Sequence, residues 1–251
     1  MIRLALLFLI LALPARAEEV VAALSQARVA ITTNFGGSEI LVFGAIKRDE
    51  PPPAWPPIEV IVVVEGPRGP VDIRKKNRTG GIWVNTEAVE IDSAPAFYAI
   101  STTDSLFRIL SHTEDLRHRI SISRGIRSVG APPTITDAAG FRDALIRLRM
   151  RNGLYRLDQG SVVLSEQTLF RTAVDLPANL TEGQYRVRIF LTRGREVVDS
   201  HVSYIDVRKV GIERFLYTLA YDRPLLYGLL ALVLAVTAGW GASAAFRLIR
   251  R

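Results

Sequence analysis

The chain has 251 residues, of which 49% are hydrophobic and 23% charged, with a formal charge of +7; that is enough polypeptide for a core of its own beside any membrane segment. Arg3, Arg16, Arg247, Arg250 and Arg251 lie in terminal stretches without an acidic residue, so Glu18 to Arg223 holds 27 of the 32 basic residues against all 25 acidic ones, a balance of +2 that argues against nucleic acid as a partner. The absence of cysteine excludes thiol catalysis, zinc–thiolate sites, iron–sulfur clusters and covalently held haem, and for an exported chain it fits a bacterial periplasm better than a disulfide-rich eukaryotic exterior.

Met1-Ile2-Arg3, an apolar run from Leu4 to Leu13 and the small-residue pattern Ala15-Arg16-Ala17 have the layout of a secretory signal peptide over residues 1–17, with the mature chain starting at Glu18. From Arg28 to Ser101 short apolar or alternating runs predict strands at Val29–Thr33, Ile40–Ile46, Ile58–Glu65, Val71–Lys75, Val89–Ile91 and Phe97–Ser101. Turn signals separate them: Asn34-Phe35-Gly36-Gly37, Gly66-Pro67-Arg68-Gly69-Pro70 and Thr79-Gly80-Gly81. The proline run from Pro51 to Pro57 cannot pair inside a sheet and predicts an extended surface loop.

Near residues 104–152 the period changes. Asp104 is positioned to cap a short helix through Leu110, and Thr113-Glu114-Asp115 to start another. From Asp137 to Arg151 the residues Phe141, Ala144, Leu145 and Leu148 fall on one helical face, and Asn152-Gly153 ends the helix. Strands resume at Val162–Leu164, Leu169–Val174, Tyr185–Leu191 and Val197–Val207. Leu176-Pro177 followed by Gly183-Gln184-Tyr185 resembles the tyrosine corner of an immunoglobulin-like β-sandwich. The expected fold of residues 18–210 is therefore a mainly β, immunoglobulin-like periplasmic sandwich with a helical insertion, favoured over two smaller sandwiches flanking the helices.

Residues 211–223 place Ile212, Phe215, Leu216 and Leu219 on one helical face and form a juxtamembrane segment, either an interfacial collar or a plain extension of the next helix. Leu225 to Phe246 holds no ionisable residue, and as a helix it reaches about 33 Å, enough to cross a bilayer. Pro224 suits the first helical position. The arginines of the tail, residues 247–251, put that end in the cytoplasm, so residues 224–246 are expected to make one C-terminal transmembrane helix in the bacterial inner membrane, with the N-terminal domain periplasmic.

Several stretches resemble a family of alphaproteobacterial transmembrane proteins of unknown function. They are Asn34-Phe35-Gly36-Gly37 with Val42-Phe43-Gly44-Ala45, Gly81-Ile82-Trp83-Val84-Asn85, Gly153-Leu154-Tyr155, Leu169-Phe170-Arg171 with Leu176-Pro177-Ala178, and Leu226-Tyr227-Gly228 with Gly239-Trp240. The resemblance implies membership across the mature chain and no activity.

Chemistry is sparse. His112, Glu114, Asp115 and His118 include one i, i+4 pair able to share a metal, but the two histidines fall on different faces. A solvated helix pairing with Arg117 and Arg119 is the expected state, with no metal site, and His201 is expected on a strand surface. Arg74, Lys75, Lys76 and Arg78 are a dense basic run ahead of a Gly-Gly turn, suited to anionic lipid headgroups or a small oxyanion, or else a solvated hairpin end. Arg142, Arg147, Arg149 and Arg151 flank their apolar stripe and are explained by snorkelling. No nucleophile elbow, Walker loop or dinucleotide fingerprint occurs, so no catalytic residue and no cofactor is assigned.

In the last helix Ala231, Ala235, Gly239 and Ser243 recur every four residues, a ridge that lets helix backbones approach in lipid. The expectation is a non-enzymatic accessory or scaffold subunit whose partners are the bilayer and a second membrane helix, its own copy or another protein. A small-anion binding or sensing domain and a membrane-anchored enzyme of unidentified chemistry are the alternatives.

Overall fold

The structure, a computed structural model, describes residues 18–32, 35–48, 51, 55–127, 138–210 and 212–249. The expected signal peptide and the terminal residues Arg250 and Arg251 lie outside them. The chain divides into two units, residues 1–29 with 36–207 and residues 30–35 with 208–251.

The first unit is mainly β. One sheet has the order β1-β3-β10-β9, formed by β1 (Glu18–Leu24), β3 (Ser38–Arg48), β10 (Leu169–Leu176) and β9 (Val163–Ser165). A second sheet has the order β2-β12-β11-β4-β7-β8, formed by β2 (Arg28–Ile31), β12 (Glu196–Lys209), β11 (Gly183–Arg193), β4 (Ile58–Glu65), β7 (Tyr98–Thr102) and β8 (Tyr155–Gln159). The remaining strands, β5 (Arg68–Thr79) and β6 (Ile82–Pro95), pair with each other and with no other strand among the described residues.

Burial explains why these segments are strands. In β10 buried and exposed residues alternate, with Phe170, Thr172, Val174 and Leu176 inward, as period-two pleating requires of a half-covered strand. β4 is covered on both faces, so Val60 to Val64 form an unbroken apolar run. One face of β11 supplies Tyr185, Val187, Ile189 and Leu191 to the interior. Tyr185 donates its hydroxyl to the Thr181 carbonyl (2.8 Å) and packs 6.0 Å from Phe97, as the tyrosine-corner reading expects. At Gly44, where β1 and β10 flank β3, a side chain would stand 2.5 Å from the Val21 carbonyl and 2.6 Å from the Phe170 ring. Glycine is needed there for close approach.

Helices cover the other face of the larger sheet. Between β7 and β8 come α1 (Leu106–Ile109), α2 (His112–His118), α3 (Ile122–Gly125) and α4 (Ala138–Arg151). β7 and β8 pair in parallel, Tyr98 opposite Tyr155, and this helical segment is the crossover that a parallel pair demands. An immunoglobulin sandwich is antiparallel throughout, so the expected helical insertion is here part of the sheet's connectivity.

Other departures have local causes. β1 is not among the expected strands, its Glu and Ala residues being weak strand formers; pairing with β3 from Glu18–Arg48 to Leu24–Val42 holds it. β5 and β6 run well past Val71–Lys75 and Val89–Ile91 because Arg68-Gly69-Pro70 begins a strand rather than ending a turn. Gly80 and Gly81, at φ +60° and +88°, make the hairpin turn. α1 begins after Ser105, and Asp104 instead accepts the Ser105 N–H (2.6 Å). On α4, Phe141 and Leu145 are buried but Leu148 is 49% exposed. The inward row continues at i+4 onto Arg149, which donates to the Ala96 carbonyl (3.2 Å).

In the second unit, α5 (Ile212–Asp222) and α6 (Pro224–Ile249) follow one another, and the Val210 N–H donates to the Ile31 carbonyl (2.9 Å). Tyr217 and Tyr221 are neighbours one turn apart, their rings 4.5 Å from each other. Residues Pro224–Ser243 of α6 are long and apolar enough to cross a membrane, and none of that stretch is buried against protein.

Candidate functional site

β11 alternates two chemistries. Its inward residues are apolar, and the opposite face carries Arg186 and Arg188. Register sets Arg186 beside Glu65 on β4, Glu65 beside Tyr98 on β7, and Tyr98 beside Tyr155 on β8, a polar row across four strands beneath the helices.

Glu65, 2% exposed, is the centre of that row. Its carboxylate accepts from Arg68 Nε and from Arg186 Nη2 (2.8 Å), with Arg188 Nη2 at 3.7 Å. Burial pushes the Glu65 carboxyl up, but the hydrogen bonds and charges of Arg68 and Arg186 outweigh it and hold the group below the ordinary carboxylate value. The same arginines reach the helical segment. Arg188 donates to the carbonyls of His118 (2.7 Å) and Arg119 (3.1 Å) and to the Tyr98 hydroxyl (3.1 Å), while Arg68 donates to the Gly125 carbonyl (2.9 Å). The Tyr98 hydroxyl donates to the Ile120 carbonyl (2.8 Å), and burial pushes that phenol far above its usual range, so it remains a donor. Cations thus meet the carbonyl end of α2, where the helix dipole favours them. The arrangement latches the crossover helices to the sheet.

This cluster escaped sequence reading because its members lie on strands far apart in the chain. Two signals were present: arginines two apart in an alternating strand share a face, and Glu65 is a lone carboxylate closing an apolar run.

The expected histidine–carboxylate group is partly rearranged. Glu114 is 5% exposed, which corrects the solvated reading; it accepts from Arg117 Nη1 (2.5 Å) and lies 3.3 Å from His118 Nε2. Arg119 caps α2 in the left-handed conformation instead of pairing with Glu114. His112 turns to Arg124 (3.4 Å), and the half-buried His201 to Ser203 (3.1 Å). Among the described residues no group of three or more such side chains is placed to hold a metal.

Arg74, Lys75, Lys76 and Arg78 are exposed along β5. Opposite Arg78, Thr79 and Asn77 stand Trp83, Ile82 and Val84, which are 69%, 67% and 40% exposed. The hairpin tip therefore combines cations with an uncovered aromatic and two aliphatic side chains, and Lys75 alone of the four cations has a carboxylate within 4 Å among the described residues, Glu87 at 3.6 Å. In the second unit Ala231, Ala235, Gly239 and Ser243 fall on one ridge of the continuous helix α6.

Among the described residues, a mainly β domain and one helix able to cross a membrane define the class: a membrane protein candidate. The chain belongs to the family described as "Putative transmembrane protein (Alph_Pro_TM)", whose model matches residues 19–248. No curated protein matches the chain. Among solved structures it is similar to Spo0M, the sporulation control protein from Bacillus subtilis, at 11% identity and a TM-score of 0.28, over 81% of this chain and 54% of that one. The chain spans about half of that protein's length.

Proposed function

We propose that this is a single-pass inner-membrane protein, exported on a cleaved leader, that serves as a non-enzymatic accessory subunit with its β domain in the periplasm. The observation that carries the reading is the β5–β6 hairpin, which pairs with no other strand among the described residues and ends in Ile82, Trp83 and Val84 beside Arg74, Lys75, Lys76 and Arg78. Uncovered aromatic and cationic side chains on one ribbon are the composition of a protein-binding hot spot. The ridge Ala231, Ala235, Gly239 and Ser243 supports a second contact through helix packing in the bilayer. We read the paired sheets as an immunoglobulin-like sandwich altered by the helical crossover, a reading supported by the tyrosine corner at Tyr185.

The test is photo-crosslinking in native membranes from a reactive residue at position 83. A discrete crosslinked partner, lost in an Ile82→Asp, Val84→Asp variant of unchanged melting temperature, is the expected result. Recovery of monomer alone, from both position 83 and position 239, removes the proposal.

A further inference from the structure

A second basic concentration lies in the first unit, and unlike the hairpin it is concave. A cavity of about 460 Å³ is lined by Arg68, Arg117, Arg119, Arg127, Arg186 and Arg188, with Ser93 and His118 completing the wall. Among the described residues, the carboxylates ion-paired with these guanidiniums are Glu65, beneath Arg68, Arg186 and Arg188, and Glu114, beside Arg117 and His118. Asp115, on α2, is engaged with the backbone N–H groups of Ile120 and Ser121, and Asp92 is the chain neighbour of Ser93. Counting all four of these carboxylates, the six guanidiniums still leave the wall cationic among the described residues.

Structural demands account for only part of this set. Arg68 and Arg188 are consumed in fastening the helices, yet the Nε of Arg188 is buried and without an acceptor among the described residues. A buried donor of that kind calls for a water or an ion. Arg117, Arg119 and Arg127 come from the rim, the first two from the end of α2 and the third from the segment that bridges to Ser93 through paired backbone hydrogen bonds of 2.9 and 3.1 Å. Guanidiniums converging on one space repel one another unless an anion joins them, and their forks match tetrahedral oxyanions in particular.

We infer that this cavity binds a phosphate-type oxyanion, with Arg186 and Arg188 at the floor, Arg117, Arg119 and Arg127 at the rim, and the Ser93 hydroxyl as a neutral donor. The site is separate from the hairpin, and its occupant bridges the crossover helices to β11. Free phosphate and the phosphodiester of a lipid headgroup share the required chemistry.

The full chain in a maltoside detergent is titrated calorimetrically with inorganic phosphate and, in a second arm, with dihexanoyl phosphatidylglycerol below its micellar concentration, each against sodium chloride at equal ionic strength. Saturable binding in either arm is expected, and the arm that binds more tightly names the source. The rim variant Arg119→Gln, Arg127→Gln should weaken it at least about tenfold, because two charge-assisted forks are lost. The lysine variant Arg119→Lys, Arg127→Lys keeps the charge and should still weaken it. The hairpin variant Arg74→Gln, Arg78→Gln should bind as the parent does. Absence of saturable binding in both arms, an equal response to chloride, binding unchanged in both rim variants, or an equal loss in the hairpin variant overturns the inference.

Discussion

Glu65 shows how one buried charge organises its surroundings. A buried carboxylate at the end of apolar β4 would be costly alone, and three arginines from β5 and β11 compensate it while the remaining donors of Arg68 and Arg188 fasten the helices. Replacing it as Glu65→Gln leaves those cations without their counter-charge. Since Arg68 and Arg186 are 32% and 42% exposed and partly screened by water, the loss is expected to be about 2 kcal/mol at neutral pH, read by chemical denaturation. Glu18 behaves alike: burial raises its carboxyl, but hydrogen bonds from Arg193 and Arg48 hold it below the ordinary value. Both groups have folded values beneath the unfolded one, so their stabilisation is complete above the unfolded value and is lost as pH falls through the folded one. The melting temperature should be flat from pH 7 to about pH 5 and then decline, with a shallower decline in Glu65→Gln.

At the scale of elements, α2 is held by local rules as well as by the latch. Ser111 accepts the Glu114 N–H (3.3 Å), the first half of a capping box, and Arg119 closes the helix in the left-handed region at φ 51°. Ser111→Ala should cost about 1 kcal/mol and speed hydrogen exchange through His112–His118. Much at this scale was legible in the sequence. β4 spans the expected Ile58–Glu65, and the Gly80-Gly81 turn lies where the basic run predicted a hairpin end. The rest was hidden for physical reasons. β1 and β8 are made strands by their neighbours, since Glu-Glu-Val-Val-Ala-Ala-Leu and Tyr-Arg-Leu-Asp-Gln carry little period of their own. The latch and the arginine cavity depend on register between strands distant in the chain, which composition does not encode.

At the scale of the whole molecule, the membrane helix and the β domain make separate demands. Helix α6 exposes an apolar surface from Leu225 to Trp240, with the exposed Tyr217, Tyr221 and Tyr227 near one end, rings of the kind that suit a headgroup region. The chain should therefore stay with membranes through alkaline carbonate extraction, and on the proposed orientation a reporter fused after Arg251 should be active only in the cytoplasm. Release by carbonate, or reporter activity outside, would contradict the topology.

The position of β11 has a consequence for how such a chain is made. It lies between β12 and β4, so the middle of the larger sheet is completed by a segment synthesised long after β4. Until residues 183–193 emerge, a nascent chain carries an apolar ribbon with one edge open, a template for aggregation. Products truncated before Gly183 are therefore expected to be cleared by proteolysis rather than to persist as smaller folded forms.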